Sequence, residues 1–392
     1  MKELQCFRIQ RKIGIVIAIM MAFFLLFCGS SLAGDEFKIG FFSEHTGPAA
    51  LFGETARACA GLALEEINNA GGILRKPVKL IHADGGQPPA DAAKTAVKLM
   101  FQEKVDFIMG SHNSAVKDAL VSIIKAKVPY LYTPIYEGGE CAKNVFITAD
   151  TTHQAIKHSI PWLTKKHNLK KWYFIGNDLV WPRTVNKTSE ELIRENGGEV
   201  IKAEYVPFGA ANKFEEIVTR IKGANPDIVL VTLIGGDNVN FNRTFAGFGL
   251  DKNIIRLAGL LEENTLTGIG ADNSKGMYSC TSYFKNINSD MNNDIKKRLN
   301  KKFNGKPPQL SILGMDCYSG LKFIQALVAK AGSMDAGALK KAAQGLVYQT
   351  PGGPVTVIGN HATKNMYLAE TMGAEFKIVE TFEQVESGVI CP

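Results

Sequence analysis

Beyond residue 35 the apolar positions fall into two alternating patterns: short continuous runs, and longer stretches where they recur every three to four residues. The first kind reads as buried strand and the second as amphipathic helix. Strands are predicted at 37–42, 78–82, 106–110 and 129–132. Helices are predicted between them at about 55–68, from Asp91, and at 114–127. On these helices Cys59, Ala63 and Ile67 share one face, as do Ala93, Val97, Met100 and Phe101, and then Val116, Leu120, Ile123 and Ile124. A second series repeats the plan, with strands at 172–176, 200–206, 228–234 and 254–260 and helices at about 185–195, 214–222 and 238–248. Gly71-Gly72 and Gly197-Gly198 stop corresponding helices in the two series, a weak internal repeat. From Gly276 the order changes: a strand at 277–284 precedes helices at about 290–303, 312–331 and 336–345. Three β-rich pieces follow at 355–358, 367–371 and 376–381. Val/Ile/Leu strands alternating with amphipathic helices imply an α/β fold with parallel sheets covered on both faces. The late β pieces are expected to complete sheets begun earlier.

The first residues carry a different signal. Lys2, Arg8, Arg11 and Lys12 precede an apolar run from Ile13 to Cys28, and Ser31-Leu32-Ala33 offers a cleavage site before Gly34-Asp35. This is the order of a secretory signal peptide, expected to span 1–33. The run is shorter than the roughly 20 residues that span a bilayer. No later stretch is expected to enter a membrane. The rest of the chain is too long for most single cores, so two lobes are expected. The leader's four Lys/Arg and one Glu leave +4 of the +7 formal charge on the remainder. Its basic residues are scattered, which argues against a nucleic-acid surface. Cys59, Cys141, Cys280, Cys317 and Cys391 match no zinc spacing, and an export route permits disulfides whose pairing stays open.

Parallel sheets present ligand-binding groups just beyond their strand ends. Those positions single out His45, His112, Ser114, Tyr132, Thr133, Tyr136, Glu137, Trp181, Asp237 and Glu262 as candidate ligand contacts. The set is rich in hydroxyls, rings and carboxylates and poor in cations, which suits a small polar molecule. Each residue also has a plain structural use. Ser114 and Asp237 can cap helices, Tyr132 and Tyr136 can pack, and Trp181 beside Pro182 can pin a loop. Glu137 can bond nearby backbone, and His45 and His112 can be ordinary loop residues. There is no Walker loop, no complete dinucleotide fingerprint and no nucleophile elbow. His153 and His158, five apart, do not share a helix face as metal ligands would. No enzyme activity, metal or cofactor is expected.

The stretch Ile39-Gly40-Phe41-Phe42-Ser43-Glu44-His45-Thr46-Gly47, with Glu65-Glu66-Ile67-Asn68-Asn69-Ala70-Gly71-Gly72, resembles the opening of type I periplasmic binding proteins. These are the leucine/isoleucine/valine-binding class of ABC importers. Tyr136-Glu137-Gly138-Gly139-Glu140-Cys141, Trp181-Pro182-Arg183 and Pro351-Gly352-Gly353-Pro354 are most similar to its amide- and urea-binding branch. The resemblance implies two Rossmann-like lobes joined by three crossing strands near 150, 278 and 349. The first lobe is then 35–150 plus 279–348, and the second 151–278 plus 349–392. It further implies hinge closure on a ligand, a membrane permease as partner and a periplasmic location. By position Ser114 and Tyr132 match ligand-contacting residues of the amide binders. His112 replaces an aromatic, and Leu179 and Trp181 stand in a tyrosine-bearing segment. A short amide, urea or amino acid is the expected ligand. An amino acid would use Asp237 or Glu262 for its ammonium group, and Ser114 with Thr133 for its carboxylate. The alternative is a ligand-sensing regulator of the amide-binding type, and the export leader argues against it.

Overall fold

The computed structural model describes residues 35–209 and 213–391, so the leader expected at 1–33 lies outside the described residues. The first series forms β1 (Phe37–Ser43), α1 (Gly53–Asn69), β2 (Val78–Asp84), α2 (Pro89–Phe101), β3 (Phe107–Ser111), α3 (Ser114–Ile124), β4 (Tyr130–Tyr132) and β5 (Val145–Ile147). After α4 (Thr152–Ile156) and α5 (Ser159–His167), the second series begins with β6 (Lys171–Asn177), α6 (Val180–Glu195), β7 (Glu199–Val206) and α7 (Glu215–Ala224). It continues through β8 (Ile228–Thr232), α8 (Gly236–Gly247), β9 (Ile255–Ala258), α9 (Glu263–Ile269) and β10 (Met277–Thr281). The chain ends with α10 (Asp290–Lys302), α11 (Ile312–Ala331), α12 (Ala336–Ala343), β11 (Val347–Thr350), β12 (Gly353–Ile358), β13 (His361–Met372) and β14 (Glu375–Val385).

Parallel pairing orders the sheets β2-β1-β3-β4-β5 and β10-β9-β8-β6-β7. Every residue of β8 is buried, as a strand covered on both faces requires. In the first sheet Ile39 and Phe41 face a core shared with α1 and α11, while Phe42 faces a second core with α2 and α3. Gly40 lets α2 sit close: a Cβ there would lie 2.9 Å from Leu99 Cδ1. Each such Leu, Ile or Phe side chain contributes about 1.5–3 kcal/mol when fully buried.

Two expectations about helices change. On α2 the buried residues are Ala92, Ala96, Leu99 and Met100, whereas Val97 and Phe101 are exposed. The helix carries two overlapping apolar stripes, and the one with small alanines fits the close approach at Gly40. Among the described residues α11 is long and apolar enough to cross a membrane by length and composition, contrary to expectation. It is instead the central helix of the first lobe, buried along most of its length.

Three segments connect the lobes, and the third is displaced from its expected place. β11 and β12 pair with each other and β12 with His361–Thr363, all within the first sheet. Beyond that point β13 pairs with β10 and β14 in the second sheet. The crossing therefore lies within β13 around Lys364–Met366 and not near residue 349. Lys364 ties all three connections together. Its Nζ donates to Thr148 O (2.6 Å), Asp150 Oδ1 (2.9 Å) and Ser282 Oγ (3.4 Å), while Ser282 N donates to Asp150 Oδ2 (2.8 Å). A disulfide between Cys141 and Cys391 adds a covalent tie from the tail after β14 to the loop following β4.

Candidate functional site

The strand ends of both lobes open onto one cleft with a volume of about 370 Å³. From the first lobe it receives Glu44 after β1, His112 to Ala115 at the start of α3, Tyr132 at the end of β4, and Ile135. From the second it receives Asp178 to Trp181, Arg183, Phe208, Ile234 and Leu260. Phe52 and Leu313 complete an apolar wall. Pro48 bridges toward the second lobe. A Cβ on Gly235, which holds φ +58°, would lie 2.5 Å from Pro48 O.

Of the expected contacts, His112, Ser114, Tyr132 and Trp181 line this cleft. The helix cap expected at Ser114 is instead Asn113, whose Oδ1 accepts from Val116 N at 3.1 Å. Ser114 is thereby left for another partner, and its Oγ donates to Glu137 Oε2 at 2.6 Å. Tyr132 donates its hydroxyl proton to His112 O at 2.7 Å. His112 is pushed down to about 4 by burial, so its ring is neutral at pH 7. Its Nδ1–H faces Asn113 O (3.1 Å), which leaves Nε2 to accept from the Tyr130 hydroxyl (3.0 Å). The indole N–H of Trp181 is buried without a hydrogen-bond partner among the described residues.

The other six candidates stand outside the lining. Thr133 is fully buried and donates to Gly110 O at 3.1 Å. The Tyr136 hydroxyl pairs with His361 Nε2. Glu137 sits behind Ser114 with Lys117 Nζ 3.7 Å from its other oxygen. Asp237 accepts from Asn177 Nδ2 (2.7 Å) and Gly209 N (3.0 Å), so it ties three second-lobe loops together. Glu262 caps α9, accepting from Thr265 N (2.6 Å) and Asn264 N (2.9 Å). His45 is exposed and pairs with Ser43 Oγ at 2.9 Å. Local capping and loop-to-loop bonds within the second lobe thus occupy the carboxylates expected to receive an ammonium group.

Glu44, Asn113, Asp178 and Arg183 are polar lining residues missing from the expected contacts, and Arg183 Nε is paired with Asp178 Oδ1 at 2.6 Å. Burial, with the Asp84 carboxylate beside it, raises the Glu44 carboxyl to about 8, so it is mostly protonated at pH 7. Buried Glu263 is likewise raised to about 8, mainly by burial. A carboxyl raised this way stabilises the fold below its unfolded value and loses that contribution as pH rises through about 8. The seven histidines act oppositely: each is lowered, led by burial, so protonation below about 6.5 favours the unfolded chain. Unfolding free energy is therefore expected to peak near the histidines' unfolded value of about 6.5, where their gain ends, and to fall from there to pH 8.5. Glu44→Gln should flatten part of the alkaline fall. Urea titrations at pH 5, 6.5 and 8.5 check this, and a stability that keeps rising to pH 8.5 would contradict it.

Two parallel-sheet lobes with a ligand-sized cleft at their facing strand ends define a two-lobed solute receptor. The chain belongs to the periplasmic binding protein family, whose model matches residues 36–375. It is 26% identical over 371 residues to Leu/Ile/Val-binding protein homolog 6 of Brucella melitensis, covering 91% of this chain and 94% of that protein. A solute-binding protein of an ABC transporter from Rhodopseudomonas palustris, solved with 3,4-dihydroxybenzoic acid, superposes with a TM-score of 0.80. It is 22% identical, and the match covers 90% of this chain and 99% of that one. A branched-chain amino acid transporter substrate-binding protein from Streptococcus pneumoniae, solved with isoleucine, gives a TM-score of 0.77 at 22% identity, over 89% of this chain and all of that one. These likenesses establish the type I periplasmic binding protein fold, and the named relatives are solute-binding proteins.

Proposed function

We propose that the chain is an extracytoplasmic receptor that closes on a small organic solute and delivers it to the permease of an ABC importer, without catalysing any reaction. The observation that carries this is the cleft itself. Its volume of about 370 Å³ lies at the small end of ligand sites, its walls are mainly apolar, and its polar lining includes Ser114, Tyr132 and Glu44 from the first lobe. Such a lining suits a ligand with a compact apolar body and one polar head. Isoleucine, the ligand named for one structural neighbour, has that build, whereas the 3,4-dihydroxybenzoic acid of another is polar at both ends of its ring. Asp237 and Glu262, the carboxylates expected to receive an α-ammonium group, are already engaged. A short amide or a urea derivative needs no such partner. The leader expected at 1–33 and the Cys141–Cys391 disulfide both suit a periplasmic location.

Thermal unfolding with a panel of amides, ureas, amino acids and aromatic acids tests the reading. A ligand bound only by the folded state adds about 2.7 kcal/mol at a hundredfold excess over its dissociation constant. At least one panel member should raise the melting temperature and be recovered unchanged. Recovery of a product would make the protein an enzyme, and a flat response to the whole panel would remove the receptor reading. Closure has its own test. Gly235→Ala places a Cβ against Pro48 O and strains a glycine-only backbone, at a cost of about 1–3 kcal/mol. We expect weaker ligand binding and a larger radius of gyration with ligand by small-angle scattering. A variant that binds and compacts as the parent does would show that the lobes do not meet at this point.

A further inference from the structure

We infer that Glu137, which does not touch the cleft, determines its preference: by taking the Ser114 proton it makes Ser114 an acceptor, so the site selects head groups that donate hydrogen bonds over carboxylates. This rests on the cleft being the ligand site. A serine hydroxyl has one proton, and a carboxylate oxygen can only accept it. The 2.6 Å bond from Ser114 Oγ to Glu137 Oε2 therefore leaves only lone pairs on Oγ for a ligand. Tyr132 is in the same position, because its proton goes to His112 O, a carbonyl that cannot donate. The His112 ring is also spent, with its proton toward Asn113 O and its free lone pair taken by Tyr130. Two acceptor oxygens thus stand at the polar corner, and a ligand N–H answers both.

Charge points the same way. Lys117 is the one cation in the cluster behind Ser114, and it faces Asp118 (2.9 Å), Glu137 (3.7 Å) and Glu140 (3.4 Å). One cation against three carboxylates leaves the Ser114 side of the cleft negative. The start of α3 offers only about half a positive charge. A ligand carboxylate would place its oxygens against the lone pairs of Ser114 and Tyr132, in front of that excess. A primary amide of the same shape donates two protons there, and its carbonyl can accept from a protonated Glu44.

Benzamide and benzoate, and isobutyramide and isobutyrate, are matched probes that differ mainly in this head group. Calorimetry on the full-length mature protein should show each amide binding at least about tenfold more tightly than its acid, the penalty for a mispaired group in a dry site. In Glu137→Gln the side-chain amide can donate to Ser114 Oγ, freeing the serine proton to turn toward the ligand. The amide-to-acid ratio should then fall to about one or invert. Ser114→Ala removes one of the two acceptor oxygens and should shrink the preference, leaving what Tyr132 contributes, which keeps the test open if Glu137→Gln folds poorly. A purely structural role for Glu137 would weaken both probes alike and leave their ratio unchanged, which overturns the inference. Acids that bind the parent protein as tightly as their amides overturn it too, while leaving the receptor reading intact. Silence from all four probes, alongside a panel ligand that does stabilise the protein, places the head group elsewhere and ends the inference alone. Silence from the panel as well ends both.

Discussion

Lys364→Met is expected to destabilise the protein by about 3–5 kcal/mol, the cost of stranding a buried charge. Lys364 and Asp150 are almost wholly buried and paired at 2.9 Å, and neither has water to fall back on. Burial pulls the Lys364 ammonium down, but Asp150 and Asp316 outweigh it and hold the group above its ordinary value. Burial drives the Asp316 carboxyl strongly upward, against the opposing pull of the Lys364 ammonium. The ion pair is Lys364 with Asp150, and methionine would leave Asp150 charged with only the Ser282 N–H as a partner. Lys364 also holds Thr148 and Ser282, so the same change frees the three connections about which the lobes turn. Urea unfolding of Lys364→Met, Asp150→Asn and the double variant should show the double losing far less than the sum of the singles. A loss under about 1 kcal/mol for Lys364→Met would be that of a surface pair and would contradict this account.

Breaking the Cys141–Cys391 disulfide is expected to cost about 2–5 kcal/mol, since it closes a loop spanning 250 residues. The remaining thiols are poor exchange partners. Cys59, Cys280 and Cys317 are buried, and burial pushes Cys59 up to about 12 and raises the other two as well. The mature protein, cleaved of the leader that holds Cys6 and Cys28, should therefore show no thiol reactive toward Ellman's reagent, and Cys141→Ser should match the reduced parent in melting temperature. The tail should become the first site of proteolysis, because Ser387 is then held to the body mainly through its carbonyl's bond from Thr151 Oγ1 (2.7 Å). An unchanged melting temperature on reduction would show that the tail is anchored without the bond.

The structure bears out the parallel-sheet reading because its signals are local. A strand such as β8 buries all its residues and must be apolar throughout, and α1 shows its core face every three to four residues. The short β5, α4, α5, α9 and β11 have no counterpart among the expected elements, being brief or mixed in composition. The same locality explains which parts of the site could be read. Strand ends collect ligand groups in any parallel sheet, so His112, Ser114, Tyr132 and Trp181 could be picked out by position alone.

What the sequence determined by itself is therefore the class: strand and helix order, two lobes, and the loops that meet at their junction. Only the tertiary structure decided how the polar groups there are used. Asp237 is a plausible ligand carboxylate until Asn177, 60 residues away in sequence, is seen to occupy it. Glu44 is an ordinary acid until the folded cleft and Asp84 raise it to about 8. The third crossing moved to β13 because a hairpin, β11 and β12, pairs with the first sheet rather than opening the second. Hydrophobic periodicity is written into neighbouring residues, whereas hydrogen-bond partners, disulfide pairing and desolvation depend on distant segments that meet only when the chain has folded.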